Sequence, residues 1–193
     1  MIDYLENKAI IEGLLRSTER PGIENLLIYL EVSGFYEAPA STKYHLSERG
    51  GLAQHSINVF NAMAAFANGL INNELEAPKS EKAYNAIVLC ALLHDLGKAG
   101  QFAKPQYIEK EIPFGDPPQY EFNRSLLYVP HEVRSVVIAS QYIQLTEEEQ
   151  FAILYHNGLY GDFKKAIPGK ETPLYMLLHF ADMWAARVLE KEV

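Results

Sequence analysis

Cysteine is almost missing: Cys90 stands alone among 193 residues, so no internal disulfide can form and the fold depends on its own core. Lying in the apolar run Ala86 to Leu93, Cys90 reads as a buried reduced thiol, which fits a reducing cytoplasm. Neither an uninterrupted apolar run of membrane-spanning length nor a basic-plus-apolar leader is present, so a soluble cytoplasmic protein with no membrane partner is expected. Basic residues are in deficit, 17 Lys and Arg against 25 Asp and Glu for a net charge of −8. That balance argues against broad binding to duplex DNA, which depends on neutralising phosphates. Also missing are a Gly-rich phosphate loop, paired cysteines, internal repeats and low-complexity tracts, which removes P-loop nucleotide binding, cysteine-ligated zinc and solenoid architectures.

What is present is a chain 48% hydrophobic, long enough for one domain, 1–193, with a substantial core. Helical periodicity dominates. A first helix from about Asp3 to Ser17 places Leu5, Ile10, Leu14 and Leu15 near one face. Pro21-Gly22 separates it from a second, Ile23 to Ser33, which Gly34 ends. After Gly50-Gly51 a third carries Leu52, Ile57, Phe60, Met63, Ala67 and Leu70, with His55 in its first turns. Ser80 can cap a fourth that is apolar almost all round and therefore central. Thr146 and Glu149 form a capping box opening a helix that runs to His156. Thr172-Pro173 opens the last, with Leu174, Leu177, Leu178, Ala181, Trp184, Ala185 and Val188 as its stripe.

Residues 100–129 differ in texture. Pro105, Pro113, Pro117 and Pro118 alternate with Tyr107, Phe114, Tyr120 and Phe122, and the alternation from Tyr107 to Ile112 supports a short strand or hairpin. A segment this long inside one domain reads either as a functional lid or as surface decoration pinned by its aromatics.

The most informative residues are His94-Asp95, in Leu92-Leu93-His94-Asp95-Leu96-Gly97-Lys98 at the exit of the central helix. An ionised carboxylate there is costly to desolvate without compensation. A divalent metal supplies it: imidazole nitrogen and carboxylate oxygen suit manganese, iron, nickel, cobalt, zinc and magnesium alike. His55 upstream, and His131, His156 and Asp182 downstream, are candidate partners. Lys98, one turn past His94, either meets a substrate phosphate or offsets the helix C-terminal dipole. Arg134 and Arg124 are further cations of the same type, and His45 lies in an irregular stretch suited to lining a pocket. His179, one turn before Asp182, reads as a hydrogen-bond donor behind the ligands or a packing residue rather than a ligand.

Three segments in order, Gly50-Gly51-Leu52-Ala53-Gln54-His55-Ser56, then Leu93-His94-Asp95-Leu96-Gly97-Lys98, then Leu178-His179-Phe180-Ala181-Asp182, resemble the motifs of HD-domain metal-dependent phosphohydrolases. The similarity is to small stand-alone bacterial members and to the HD module of bacterial 3′→5′ exoribonucleases. It implies an all-α HD-domain bundle: N-terminal helices and a pocket-flanking loop over 1–49, an HD core over 50–189, and the 100–129 insertion after the His-Asp motif. By the same resemblance His55, His94, Asp95 and Asp182 hold one ion, and His131 and His156 match the places that bind a second, with Asp95 bridging. Relatives often show two histidines in succession where this chain has His156-Asn157, so one ion or two remain open. The implied function is hydrolysis of a phosphomonoester or phosphodiester, with a nucleotide or a short single-stranded nucleic-acid end as substrate, by metal-activated water. Asp95 and Lys98 are its catalytic candidates, and Lys98, Arg134 and His45 its substrate-binding ones. The alternative is a non-catalytic HD module that senses a nucleotide or metal and signals through a partner.

Overall fold

Helix starts are written in short polar side chains. In the computed structural model of the protein, which describes residues 2–71, 80–111 and 119–191, the Asp3 carboxylate accepts from the N–H groups of Leu5 and Glu6 to open α1 (Tyr4–Ser17). Such caps satisfy donors that the first turn leaves free. α2 (Ile23–Val32) follows Gly22, whose φ of +94° and closeness to the Tyr142 carbonyl leave no room for a Cβ. α3 (Gly51–Ile71) and α4 (Glu81–Leu93) come next, the Ser80 hydroxyl accepting from Ala83 N–H at the start of α4. A 3-10 turn, Leu96–Ala99, leads into a small antiparallel hairpin, β1 (Tyr107–Glu109) and β2 (Tyr120–Phe122), with Ile108 opposite Glu121. α5 (His131–Tyr142), α6 (Glu147–Tyr155) and α7 (Pro173–Trp184) complete the bundle, and α7 runs on into a π-turn, Ala185–Leu189.

Seven α-helices and one two-stranded sheet among the described residues make the expected all-α bundle. α4 is central: every residue from Ile87 to Leu93 is buried, and α3, α6, α7 and α1 pack around it. The capping box at Thr146 and Glu149 forms as the sequence predicts. Glu149 also receives a two-pronged ion pair from Arg20, at 2.7 and 3.1 Å, which ties the loop after α1 to α6.

Two apolar faces differ from the sequence reading. In α1 the inward row is Asn7, Ile11 and Leu15, while Leu5 and Ile10 face solvent. Propensity allowed either face, and packing against α3 and α4 selected one. In α7 the core takes Leu174, Tyr175, Leu178 and Ala181, whereas Trp184, and Val188 in the π-turn after it, lie exposed in a groove with Phe66, Met176 and Phe180. The predicted strand in the insertion is shortened to Tyr107–Glu109, and its anchors Tyr107 and Tyr120 are buried. Ile112, Pro113, Phe114, Pro117, Pro118 and the side chain of Leu70 lie outside the described residues.

Candidate metal centre

α4 ends at His94, where the chain leaves the helix and Asp95 takes φ −103°, ψ 11°. The His94 Nδ1–H donates to the Ala91 carbonyl at 2.9 Å. A carbonyl only accepts, so the proton sits on Nδ1 and Nε2 offers its lone pair. α6 repeats the device at its own C-terminus: His156 Nδ1–H donates to Ile153 O at 2.7 Å. His131 is the first residue of α5, His55 lies in the second turn of α3, and Asp182 in the last turns of α7. Helix ends and inward faces of five elements thus converge.

Asp95 is their hub, buried with His55, His94 and His156. Its Oδ2 lies 2.6 Å from Lys98 Nζ, 3.4 Å from His94 Nε2 and 3.7 Å from His55 Nε2. Its Oδ1 lies 3.2 Å from His131 Nε2 and 3.6 Å from His156 Nε2. Asp182 Oδ1 sits 3.1 Å from His55 Nε2 and 3.9 Å from His94 Nε2. Buried as they are, His94 Nε2 and Asp95 Oδ1 make no hydrogen bond, and the Nε2 atoms of His131 and His156 face each other at 3.3 Å. Unpaired buried acceptors at this density fit a cation between them. His55, His94 and Asp182 form one group able to hold a metal ion, and His94, Asp95 and His156 another. The residues present therefore fit a divalent metal.

The electrostatics agree with that donor set. Burial opposes charge on Asp95, but Lys98 and then His94 outweigh it and hold the carboxyl well below its ordinary range. Asp182 is likewise held down, against burial, by its hydrogen bond to His55. Burial, reinforced by the neighbouring His94, pushes His156 down to about 3, so its imidazole is neutral. His55 is the exception. Burial lowers it, yet Asp182 on one side and Glu190 on the other raise it to about 10, so without a metal it is an imidazolium between two carboxylates.

A cavity of about 770 Å³ opens over the cluster, lined by Tyr44, His45, Lys98, Tyr160, His179 and Arg187 among others. His45 is brought here as expected; its ring centre lies 4.9 Å from that of His55, and burial lowers it to about 4. Lys98 also lines the cavity, where Asp95 keeps it charged against the effect of burial. Arg134 does not. Its guanidinium donates to the carbonyls of Gly97 and Gly100 instead, because α5 crosses directly over the 3-10 turn and those carbonyls lack partners of their own. The substrate-binding expectation for Arg134 is therefore corrected to a clamp on the turn that carries Lys98. Arg124 is exposed and does not line that cavity. Asn157, standing where relatives often have a second histidine, places Nδ2 3.4 Å from His131 Nε2. His179 donates from Nδ1 to the His156 carbonyl at 2.8 Å, its ring seated against Gly158, where a Cβ would collide with it.

Two residues escaped sequence reasoning. Arg187 stacks over the Tyr160 ring at 5.0 Å on the cavity wall, a pairing between distant segments that no local pattern announces. Glu190 reaches His55 Nδ1 with both oxygens at 3.0 Å; a helical repeat of 3.6 residues points it elsewhere.

No helix among the described residues is long and apolar enough to cross a membrane. No curated protein and no solved structure matches the chain. A family model, the HD domain, matches residues 52–182, about two thirds of the chain, beginning on the helix of His55 and ending on Asp182 itself. Its span takes in His55, His94, Asp95, His131, His156 and Asp182, and on that match the chain belongs to the HD-domain family, whose members are in general metal-dependent phosphohydrolases.

Proposed function

We propose that this protein hydrolyses a nucleotide phosphoester at a two-ion centre. The observation that carries the reading is the division of labour at Asp95: one oxygen faces His55, His94 and Lys98, the other His131 and His156. A carboxylate whose two oxygens serve two separate sets of histidines is suited to bridge two cations. In this assignment His55, His94, Asp95 and Asp182 hold the first ion, and Asp95, His131 and His156 the second. Bound divalent ions supply a water acidic enough to deprotonate near neutral pH and positive charge for phosphoryl oxygens.

The chain's own groups do the rest. Lys98 stays protonated beside Asp95 and presents its ammonium to the cavity, where it balances negative charge gathering on phosphate. Asp182 and Asp95, both held ionised, supply the negative charge a cation would balance, while the Ala91 and Ile153 carbonyls, by holding the Nδ1 protons, keep the His94 and His156 lone pairs aimed inward. Arg187 on Tyr160, with Lys191 and the exposed Tyr44 lining the same cavity, offers cations for phosphate and rings for a base. A cavity of about 770 Å³ falls within the range that holds drug-sized ligands, more than a bare phosphate needs.

The test is elemental analysis of protein purified without added metal, alongside His131→Ala and His156→Ala, followed by a screen of nucleoside mono-, di- and triphosphates and short oligonucleotides with each divalent ion. About two ions in the parent, falling toward one in either variant, with release of phosphate or nucleotide, is the expected result. One ion unaffected by either change overturns the two-ion assignment. Nucleotide binding without turnover under any ion overturns the hydrolase assignment and makes the protein a sensor.

A further inference from the structure

The residue that meets His55 from behind, at Nδ1, lies outside the family match. Glu190, eight residues past the end of the match, is only 8% exposed. Its Oε1 and Oε2 each lie 3.0 Å from His55 Nδ1. Behind it runs a chain of amides: Asn7 Nδ2 donates to Gln54 Oε1 at 3.1 Å, Gln54 Nε2 to Asn58 Oδ1 at 3.0 Å, and Asn58 Nδ2 to Glu190 Oε1 at 2.9 Å. Every donor in the series points toward Glu190, so the series ends on a group that can only accept. Hydrogen bonds aligned head to tail in this way strengthen one another. The chain starts on α1, which precedes the matched residues.

Backbone geometry delivers Glu190 to this place. In a continuous α-helix Leu189, seven residues after Asp182, lies within about 20° of it around the axis and takes the inward position. The π-turn adds one residue to that stretch: Glu190 N–H donates to Ala185 O, five residues back, at 3.0 Å. Glu190 moves inward by this extra step, and Leu189 is left 54% exposed. Single π-turns inside α-helices concentrate at functional positions. Here the local gain from the insertion is the carboxylate on His55.

We infer that Glu190, swung inward by the π-turn and braced by Asn7, Gln54 and Asn58, is a positioning residue that holds the proton on His55 Nδ1 and thereby keeps Nε2 as the metal-facing atom. The inference rests on the metal centre proposed above. A carboxylate acceptor behind a ligating imidazole fixes the ring's tautomer and orientation and makes its other nitrogen more basic.

The experiment compares wild type, Glu190→Ala, Glu190→Gln and Asn58→Ala by three measurements. These are the ¹H–¹⁵N signal of the His55 ring in metal-free and zinc-loaded protein, Mn²⁺ affinity by titration, and melting temperature in chelator. Wild type is expected to show a slowly exchanging Nδ1–H. In Glu190→Ala that signal should vanish and Mn²⁺ affinity fall about 10- to 100-fold. Glu190→Gln, whose amide oxygen still accepts, should restore most of both, and Asn58→Ala should give a smaller loss in the same direction. An unchanged His55 signal with Mn²⁺ affinity within threefold of wild type in Glu190→Ala overturns the inference. So does a drop in chelated melting temperature in Asn58→Ala and Glu190→Gln with the His55 signal intact, which assigns the network to fold stability alone. Should wild type bind no Mn²⁺, the metal assignment fails, while the His55 signal in metal-free protein still decides the role of Glu190.

Discussion

Replacing Gly97 with Ala tests how tightly the centre depends on backbone contact. Gly97 lies between Asp95 and Lys98 in the 3-10 turn, directly under the start of α5. A Cβ there would sit inside the envelope of the His131 carbonyl oxygen, 2.8 Å from its carbon and 2.9 Å from Arg134 Cβ. Ordinary contact begins at 3.4 Å, and the blocking atoms are backbone and a Cβ rather than a flexible side-chain tip. The turn and α5 must therefore part by about 1 Å. Asp95 rides on one side of that gap and His131 on the other, so their 3.2 Å approach opens, and the bond from Gly97 N–H to Ser135 Oγ, now 2.8 Å, weakens. Overpacking of this kind costs about 1–3 kcal/mol, or about 2–12 °C in melting temperature for a chain of this size. A displacement of about 1 Å among reacting groups costs about 100-fold in rate. Melting curves, metal content and turnover together give the assay, with Gly13→Ala as the control. Gly13 sits in α1 with nothing within 4 Å of an added Cβ, and Ala there should stabilise by about 0.5–1 kcal/mol. A Gly97→Ala protein that melts within 1 °C of wild type (about the scatter expected of a neutral change) and keeps full activity refutes the reasoning.

Three further outcomes are expected. Arg134→Ala removes two charge-assisted bonds to carbonyls and should cost about 2–4 kcal/mol; kcat should fall while KM for substrate holds, and a change confined to KM would return Arg134 to the substrate. In chelated protein, His55 at about 10 contributes stability that is full below its ordinary value near 6.5 and is lost as pH rises through about 10. Asp182 and Glu190, both lowered, contribute stability present above their ordinary values and lost on acidification. Melting temperature should thus decline from pH 7 to 10 in wild type and stay flatter in His55→Gln; parallel curves for the two contradict the assignment. Deleting Leu189 should convert the π-turn to α-helix, with the Glu190 N–H still reaching Ala185 O, and leave Mn²⁺ affinity within threefold; a loss as large as that of Glu190→Ala would show that the extra residue does more than set helical phase.

The order His55, His94-Asp95, Asp182 was legible because each residue sits at a place where sequence speaks locally: inside an amphipathic helix or at the end of an apolar one. Capping at Ser80, Thr146 and Thr172 was legible for the same reason, since a cap involves residues two or three apart. The hairpin was partly legible, its alternation marking β1 while its length depended on the pairing with β2. Arg134 was misread because a cation near a catalytic motif has many potential partners, and only the crossing of α5 over the turn shows that two carbonyls take it.

Sequence by itself determined the helical class, the starts of α4, α6 and α7, and the identity of the histidines and aspartates that gather at the centre, because periodicity, capping and short motifs are encoded within a few residues of each other; α5 and the approach of Glu190 were not legible. Tertiary structure alone decided which face of α1 is buried, how the two oxygens of Asp95 divide four histidines, and that Glu190 rather than Leu189 turns inward. These depend on distances between residues as many as 135 positions apart and on one extra residue in a single helical turn, and neither leaves a mark in local sequence pattern.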